Sequence, residues 1–182
     1  MIVFEKPGKQ NTEATLEMAA ARAKKDGVHL VVASTKGGCA VAAVEAAEKA
    51  GILDKLVIVG SVIDKGVQKM SPEVMDMLKS KGVPLVITSH ILSGVERGLS
   101  TKMHGIYPAE IIAHALRMLS QGVKVCVECG IMALDCAAIP YGEAIVAVGG
   151  TGVGADTAAV LTPAGANAVL ETKVHEILCM PY

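Results

Sequence analysis

The stretch from residue 28 to residue 51 reads VHLVVASTKGGCAVAAVEAAEKAG, and its hydrophobic pattern changes halfway. Residues 28–33 are a short apolar run rich in valine, which predicts a buried strand. After a polar turn with two glycines, alanine and valine recur at helical spacing as far as Gly51, a typical helix stop. A buried strand followed directly by a helix is the repeating unit of a parallel α/β sheet.

The same alternation extends over most of the chain and predicts one three-layer α/β domain covering residues 1–182. Strands are expected at 28–33, 56–59, 84–88, 144–148, 157–161 and 174–180. Helices are expected at 12–26, 39–50 and 72–81, from Pro108 to a stop at Gly122, and at 124–138. Residues 89–107 show no period, which favours a lid, a substrate-contacting segment or a subunit interface.

Composition excludes several classes of function. Of 182 residues, 52% are hydrophobic but only 2% are aromatic, and the net charge is −1. A nucleic-acid-binding protein would need a basic face or aromatic stacking platforms. The longest stretch without Asp, Glu, Lys or Arg, residues 157–170, is shorter than the roughly 18–20 residues of a membrane span. The high apolar content favours a homo-oligomer.

The cysteines and the N-terminal residues indicate the cellular compartment of the protein. Five cysteines in an apolar chain of this length favour reduced core residues over disulfides. The N-terminal residues lack a basic segment followed by an apolar run and a cleavage site. We therefore expect a cytoplasmic protein.

The loop after the first predicted strand is a candidate anion site. It leads into a helix N-terminus, where free N–H groups and a partial positive charge favour phosphate. Its candidate ligand-binding residues are Ser34, Thr35, Lys36, Gly37, Gly38 and Cys39. The loop has no Walker pattern, and an ordinary strand-to-helix turn capped by Ser34 is the alternative.

A second candidate loop follows the strand at 144–148. Its glycines allow backbone N–H groups to surround a phosphate, and Asp156 is placed to bind a sugar hydroxyl. The candidate residues are Gly149, Gly150, Thr151, Gly152, Gly154, Ala155, Asp156 and Thr157. A dinucleotide fingerprint matches formally, but Pro163 and the 182 − 155 = 27 remaining residues argue against a Rossmann unit. A tight hairpin without a ligand is the alternative.

Other candidates rest on single residues. Arg97 is a candidate ligand-binding cation in the aperiodic segment. Cys39, at a helix N-terminus, is a candidate for a lowered pKa and a reactive role. Glu128 is the only acid between Lys124 and Leu134, and a polar helix stripe shared with Asp135 is the favoured explanation for it. For Cys126, Cys129 and Cys136, core packing is favoured over zinc because no second ligand pair is present.

Several of these motifs together resemble a known family. The chain resembles the stand-alone proteins that are similar to the C-terminal α/β domain of pyruvate kinase. The residues that carry the resemblance are the segments 11–12, 31–34, 93–98, 107–110, 149–152 and 179–181. The resemblance implies a sandwich with strand order 3-2-1-4-5, its last core strand antiparallel, so that the two glycine-bearing loops converge on one crevice.

The resemblance also implies a ligand. In pyruvate kinases the first loop, roughly T-x-S-G-x-[ST]-A, holds a phosphate of an allosteric sugar bisphosphate; here Lys36 and Cys39 replace hydroxyls. The stand-alone family implies flavin mononucleotide (FMN), whose ring we expect near Met103, Met132 or Tyr107. The catalytic barrel has no counterpart, so pyruvate kinase activity is not expected. A small flavin-dependent oxidoreductase, a phosphate-ester enzyme and a ligand-free oligomerisation domain are the alternatives.

Overall fold

Seven strands form one sheet in the computed structural model, which describes residues 1–182. The strands are β1 (Ile2–Phe4), β2 (His29–Ala33), β3 (Leu56–Val59), β4 (Leu85–Val86), β5 (Ile145–Gly149), β6 (Thr157–Thr162) and β7 (Lys173–Pro181). The helices are α1 (Thr12–Asp26), α2 (Gly38–Ala50), α3 (Pro72–Ser80), α4 (Gly94–Met103), α5 (Pro108–Arg117) and α6 (Gln121–Asp135). No helix has both the length and the apolar character that crossing a membrane requires.

The strand order of the sheet is β1-β7-β6-β5-β2-β3-β4. Strand β2 lies inside the sheet, parallel to β3 and β5, whereas β6 runs antiparallel to β5 and β7. The five expected core strands therefore occur in the order 3-2-1-4-5, with the last one antiparallel. The sheet differs from the expectation in having seven strands, because β7 and β1 extend it beyond β6.

Alternate residues of each central strand face opposite layers of the fold. Leu30 and Val32 point towards α1 and α2, and Val31 points towards α6. All three are completely buried. Helices on both faces explain why β2 is continuously apolar, as the sequence indicates. The fold is thus a three-layer α/β sandwich.

Two elements were not expected from the sequence. Strand β1 pairs in parallel with β7, with Ile2 opposite Cys179; three residues are too short for a period to show. Helix α4 lies inside the segment that lacks periodicity. It has no buried residue, so no apolar stripe marks it. The expected strand at 84–88 shortens to Leu85–Val86 at the edge of the sheet.

The boundary between α5 and α6 corrects one prediction. Helix α5 ends at Arg117, and Gly122 is not its stop but lies in the first turn of α6. The Ser120 side chain caps α6 by accepting a hydrogen bond from the Val123 N–H at 3.0 Å. The helix predicted at 124–138 is confirmed and begins earlier, at Gln121.

The five cysteines are all free thiols. Cys126 and Cys129 are buried in the cluster between α6 and the sheet, which confirms the expected core packing for these two. Cys136 follows the end of α6 and is exposed.

Candidate functional site

A cleft of about 1190 Å³ lies at the carboxyl ends of β2 and β5. This is the edge of an open α/β sheet where ligands bind. Eight of the residues proposed from the sequence line the cleft: Ser34, Thr35, Lys36, Gly38, Cys39, Gly150, Gly152 and Gly154. The two glycine-bearing loops therefore do converge, because β2 and β5 are neighbours in the sheet.

The other seven proposed residues do not line the cleft: Gly37, Arg97, Gly149, Thr151, Ala155, Asp156 and Thr157. Gly37 is the N-cap residue of α2, with φ of 98°. Arg97 is exposed on α4. Ala155, Asp156 and Thr157 are buried. Apart from the backbone N–H of Gly37, direct ligand contact by these residues has no support in the fold.

Asp156 holds the second loop in place. It is 0% exposed. One carboxylate oxygen accepts hydrogen bonds from the Gly8 N–H at 3.0 Å and the Thr151 N–H at 3.1 Å. The other oxygen accepts from the Thr157 hydroxyl at 2.9 Å. With its oxygens occupied by protein donors, Asp156 orders the loop instead of binding a sugar hydroxyl.

Close packing explains two glycines of the second loop. A Cβ on Gly150 would lie 2.2 Å from the Gly154 carbonyl oxygen, and one on Gly154 would lie 2.5 Å from the Cα of Lys9. Gly154 also has φ of 86°, where side chains are strained. By contrast, Gly152 has no atom within 4 Å of its Cβ position and is exposed in the cleft. Gly152 is therefore free to lie against a ligand.

The N-terminus of α2 supplies a set of unpaired donors. The backbone N–H groups from Thr35 to Cys39 donate to no acceptor in the protein. The next one, of Ala40, donates to the buried Ser34 hydroxyl at 3.0 Å. The Lys36 side chain is exposed beside them. Such an arrangement is suited to an anion.

Cys39 has no lowered pKa. Burial raises the pKa of its thiol, and the negative charge of Asp156 raises it further. With its pKa raised, the thiol stays protonated near neutral pH. A reactive thiolate at Cys39 is therefore not supported.

The remaining surface of the cleft combines apolar side chains from the sheet, α1, α2 and α6 with acidic side chains from α1 and α2. Apolar side chains come from Leu16, Ala33, Ala42, Ala46, Val59, Val125 and Val153. Glu13, Glu17 and Glu45 line the far end, where Glu17 pairs with Lys49 at 2.6 Å. Preference for an anion is thus confined to the loop end. Met103, Met132, Tyr107 and the other aromatic residues do not line the cleft, which corrects the expected ring contacts.

A buried ion pair lies beside the cleft on the α6 side. Glu128 is 1% exposed and forms an ion pair with Lys124, which is 5% exposed. Its second oxygen accepts from the Leu92 N–H at 3.1 Å, and His90 Nδ1 lies 3.1 Å from the first. We call Lys124, Glu128 and His90 the Glu128 network. Asp135 lies elsewhere, accepting from the Ala166 N–H, so the polar-stripe interpretation of Glu128 is wrong.

The Glu128 network keeps its carboxylate ionised. Burial alone would raise the pKa of Glu128, but the hydrogen bond with His90 and the charge of Lys124 lower it overall. Lys124 and His90 were not proposed as site residues from the sequence. The sequence did contain one signal for the ion pair, namely a Lys and a Glu four residues apart on a largely apolar helix.

Chemically, the cleft combines an anion-binding end, an apolar middle and a carboxylate–imidazole pair. Such pairs are candidates for proton transfer. No protein-family model matches the chain.

Proposed function

We propose that this protein binds a phosphorylated small molecule in the cleft, with FMN as the leading ligand. We further propose that it works in the cytoplasm and has no pyruvate kinase activity. The observation that carries the proposal is the run of unpaired backbone N–H groups from Thr35 to Cys39 at the open N-terminus of α2.

The phosphate would bind at the loop end of the cleft. Free N–H groups at a helix N-terminus and the helix dipole stabilise an anion together, and Lys36 adds a positive charge. Gly38 and Gly152 leave room for close approach, since a Cβ at either position would have no neighbour within 4 Å. The second loop is already ordered by Asp156, so little loop entropy would be lost on binding.

The remainder of the ligand would lie along the apolar middle of the cleft. Ala33 and Val59 at the strand ends and Val125 of α6 offer aliphatic contact. A cleft of about 1190 Å³ can accommodate a mononucleotide with a three-ring base. The resemblance to the stand-alone relatives of the pyruvate kinase C-terminal domain favours FMN over other phosphorylated molecules.

Titration of the protein with FMN is expected to give a saturable change in flavin fluorescence at micromolar ligand. Riboflavin, which lacks the phosphate, should bind at least about tenfold more weakly, a difference of about 1.4 kcal/mol. Lys36→Ala should weaken FMN binding by about tenfold, because a charge-assisted contact is lost.

Lys25→Ala is the matched control for that titration, because Lys25 is exposed on α1 and does not line the cleft. It should leave the affinity unchanged. Equal affinities for FMN and riboflavin would contradict a phosphate site at α2. The absence of any saturable change in fluorescence would exclude FMN as the ligand.

Of the alternative functions, a flavin-dependent oxidoreductase or a phosphate-ester enzyme is favoured by one observation. The Glu128 network contributes both Glu128 and His90 to the lining of the same cleft. A domain that binds no ligand would not need this buried ion pair, since buried pairs rarely add stability.

We also propose that the protein is a homo-oligomer that associates through α4 and α5. These helices and their connection expose large apolar side chains: Val95, Met103, Ile106, Ile111 and Met118. Light scattering should give a mass of at least two 18.7 kDa chains. Ile111→Glu should shift it to one chain, since burying a charge in an apolar interface is costly.

Leu170→Glu is the control for association. Leu170 is 84% exposed but lies in the connection between β6 and β7, away from α4 and α5. It should leave the mass unchanged. A single-chain mass for the unaltered protein would disprove the proposal.

A further inference from the structure

The Glu128 network is costly to maintain, which calls for an explanation other than stability. The Lys124 and Glu128 side chains are 6% and 2% exposed. Taking two charges out of water costs several kcal/mol per ion, and an apolar pair of similar volume is often more stable. Nearly every other buried residue of α6 is apolar or glycine. The pair is the exception on this helix, and its Glu128 lines the cleft.

The contact with Glu128 fixes which nitrogen carries the proton when the His90 ring is neutral. An ionised carboxylate only accepts hydrogen bonds, so Nδ1 at 3.1 Å from Glu128 must donate. The neutral ring then has a lone pair on Nε2. The Leu92 N–H and Lys124 also donate to Glu128, so three donors fix the position of the carboxylate. The fixed carboxylate in turn orients the His90 ring.

The His90 ring is accessible from the cleft. Its side chain is 37% exposed, whereas that of Glu128 is 2% exposed. His90 lines the same cleft as the N-terminus of α2. It lies just beyond β4, two strands from β2 in the sheet. Neighbouring strands are about 4.8 Å apart, so a small molecule can reach from one position to the other.

We propose that His90 is a proton-transfer residue that acts on a phosphorylated small molecule held by its phosphate at the α2 N-terminus, and that Glu128 is its positioning residue. The inference rests on the function proposed above. Nε2 takes a proton from an O–H, N–H or C–H group of the ligand; that bond breaks and an Nε2–H bond forms. Glu128 stabilises the resulting imidazolium, and the proton later returns to the product or to water.

The thiols of the cleft do not offer a competing chemistry. Burial raises the pKa of Cys129 to about 12, and the nearby charge of Glu128 contributes to the same direction. Cys39 is also held as the thiol by burial. Because the thiolate is the nucleophilic form, neither sulfur is suited to attack a ligand. Proton transfer by His90 is the chemistry that the cleft supports.

The test combines imidazole nitrogen shifts with chemical labelling. In the ¹⁵N-labelled protein, His90 should show a protonated Nδ1 and an unprotonated Nε2. Diethyl pyrocarbonate acylates an unprotonated imidazole nitrogen. It should label His90 at least about fivefold faster in the unaltered protein than in Lys124→Met/Glu128→Leu, which lacks the carboxylate that accepts from Nδ1. Saturating FMN should slow this labelling, with the exposed His175 of β7 as the internal reference.

Asp135→Asn is the control, because Asp135 lies on the same helix but outside the Glu128 network, and it should preserve both the Nδ1–H tautomer and the labelling rate. A protonated Nε2, or a rate unchanged in the double variant, overturns the inference whether or not a ligand binds. Failure of FMN to protect His90 while the fluorescence titration shows FMN binding also overturns it.

Discussion

Glu128→Leu is expected to lower the free energy of unfolding by about 3–5 kcal/mol. The substitution leaves the Lys124 ammonium, 5% exposed, without a counter-charge. It also removes the acceptor of the Leu92 N–H. An unpaired buried charge and an unpaired buried donor are both costly, which places this substitution among the most destabilising in the chain. Urea unfolding followed by circular dichroism measures the change.

Lys124→Met/Glu128→Leu should recover most of that loss, because no charge then remains buried. A double variant as unstable as Glu128→Leu alone would show that packing of the Glu128 side chain or the unpaired Leu92 N–H, and not the unpaired Lys124, causes the effect. Such a result would contradict the ion-pair explanation.

Acid titration provides an independent check on the same pair. The pKa of Glu128 is lower in the folded protein than its ordinary value of 4.5. A carboxyl group with a depressed folded pKa contributes stability above its unfolded pKa, and that contribution is lost as the pH falls through the folded value. The double variant should lack this part of the acid destabilisation.

Gly122→Ala is expected to lower the free energy of unfolding by about 3 kcal/mol, the upper part of the usual range for an overpacked core. A Cβ on Gly122 would lie 2.0 Å from the Thr157 hydroxyl oxygen and 2.4 Å from its Cβ. Thr157 is completely buried, so it cannot move aside. Alanine would therefore push α6 away from β6 and disturb the floor of the cleft.

Gly98→Ala is the matched control, because Gly98 also lies inside a helix but has no atom within 4 Å of its Cβ position. There alanine should stabilise the protein by about 0.5–1 kcal/mol through helix propensity. Thermal unfolding of both variants separates the two effects. If Gly122→Ala were as stable as the unaltered protein, α6 would not pack against β6 as closely as described.

The local hydrophobic pattern of the sequence was sufficient to predict the central part of the fold. The apolar runs of β2, β3 and β5 and the stops at Gly27 and Gly51 lie where the sequence placed them, because they depend on neighbours in the chain. Helix α4 was missed for the opposite reason. It buries no residue, so nothing in its spacing distinguishes it from a loop.

The candidate site was recognised in part. The loop at Ser34 is open and carries unpaired donors, as its residue types indicate. The role of Asp156 was not predictable, since its partner Gly8 is 148 positions away in the chain. Distance along the chain likewise separates His90 from Glu128 by 38 positions. Only the fold brings such groups within hydrogen-bond distance.

The amino-acid sequence alone therefore determined the α/β class, the main strands and helices, and a glycine-bearing loop suited to an anion, because periodicity and helix termini are local properties. The tertiary structure decided which side chains share the cleft. The order β5-β2-β3-β4 aligns four carboxyl ends at one edge. It thereby places a buried carboxylate and an imidazole in the same cleft as the helix N-terminus, a juxtaposition that depends on strand order and burial and not on spacing along the chain.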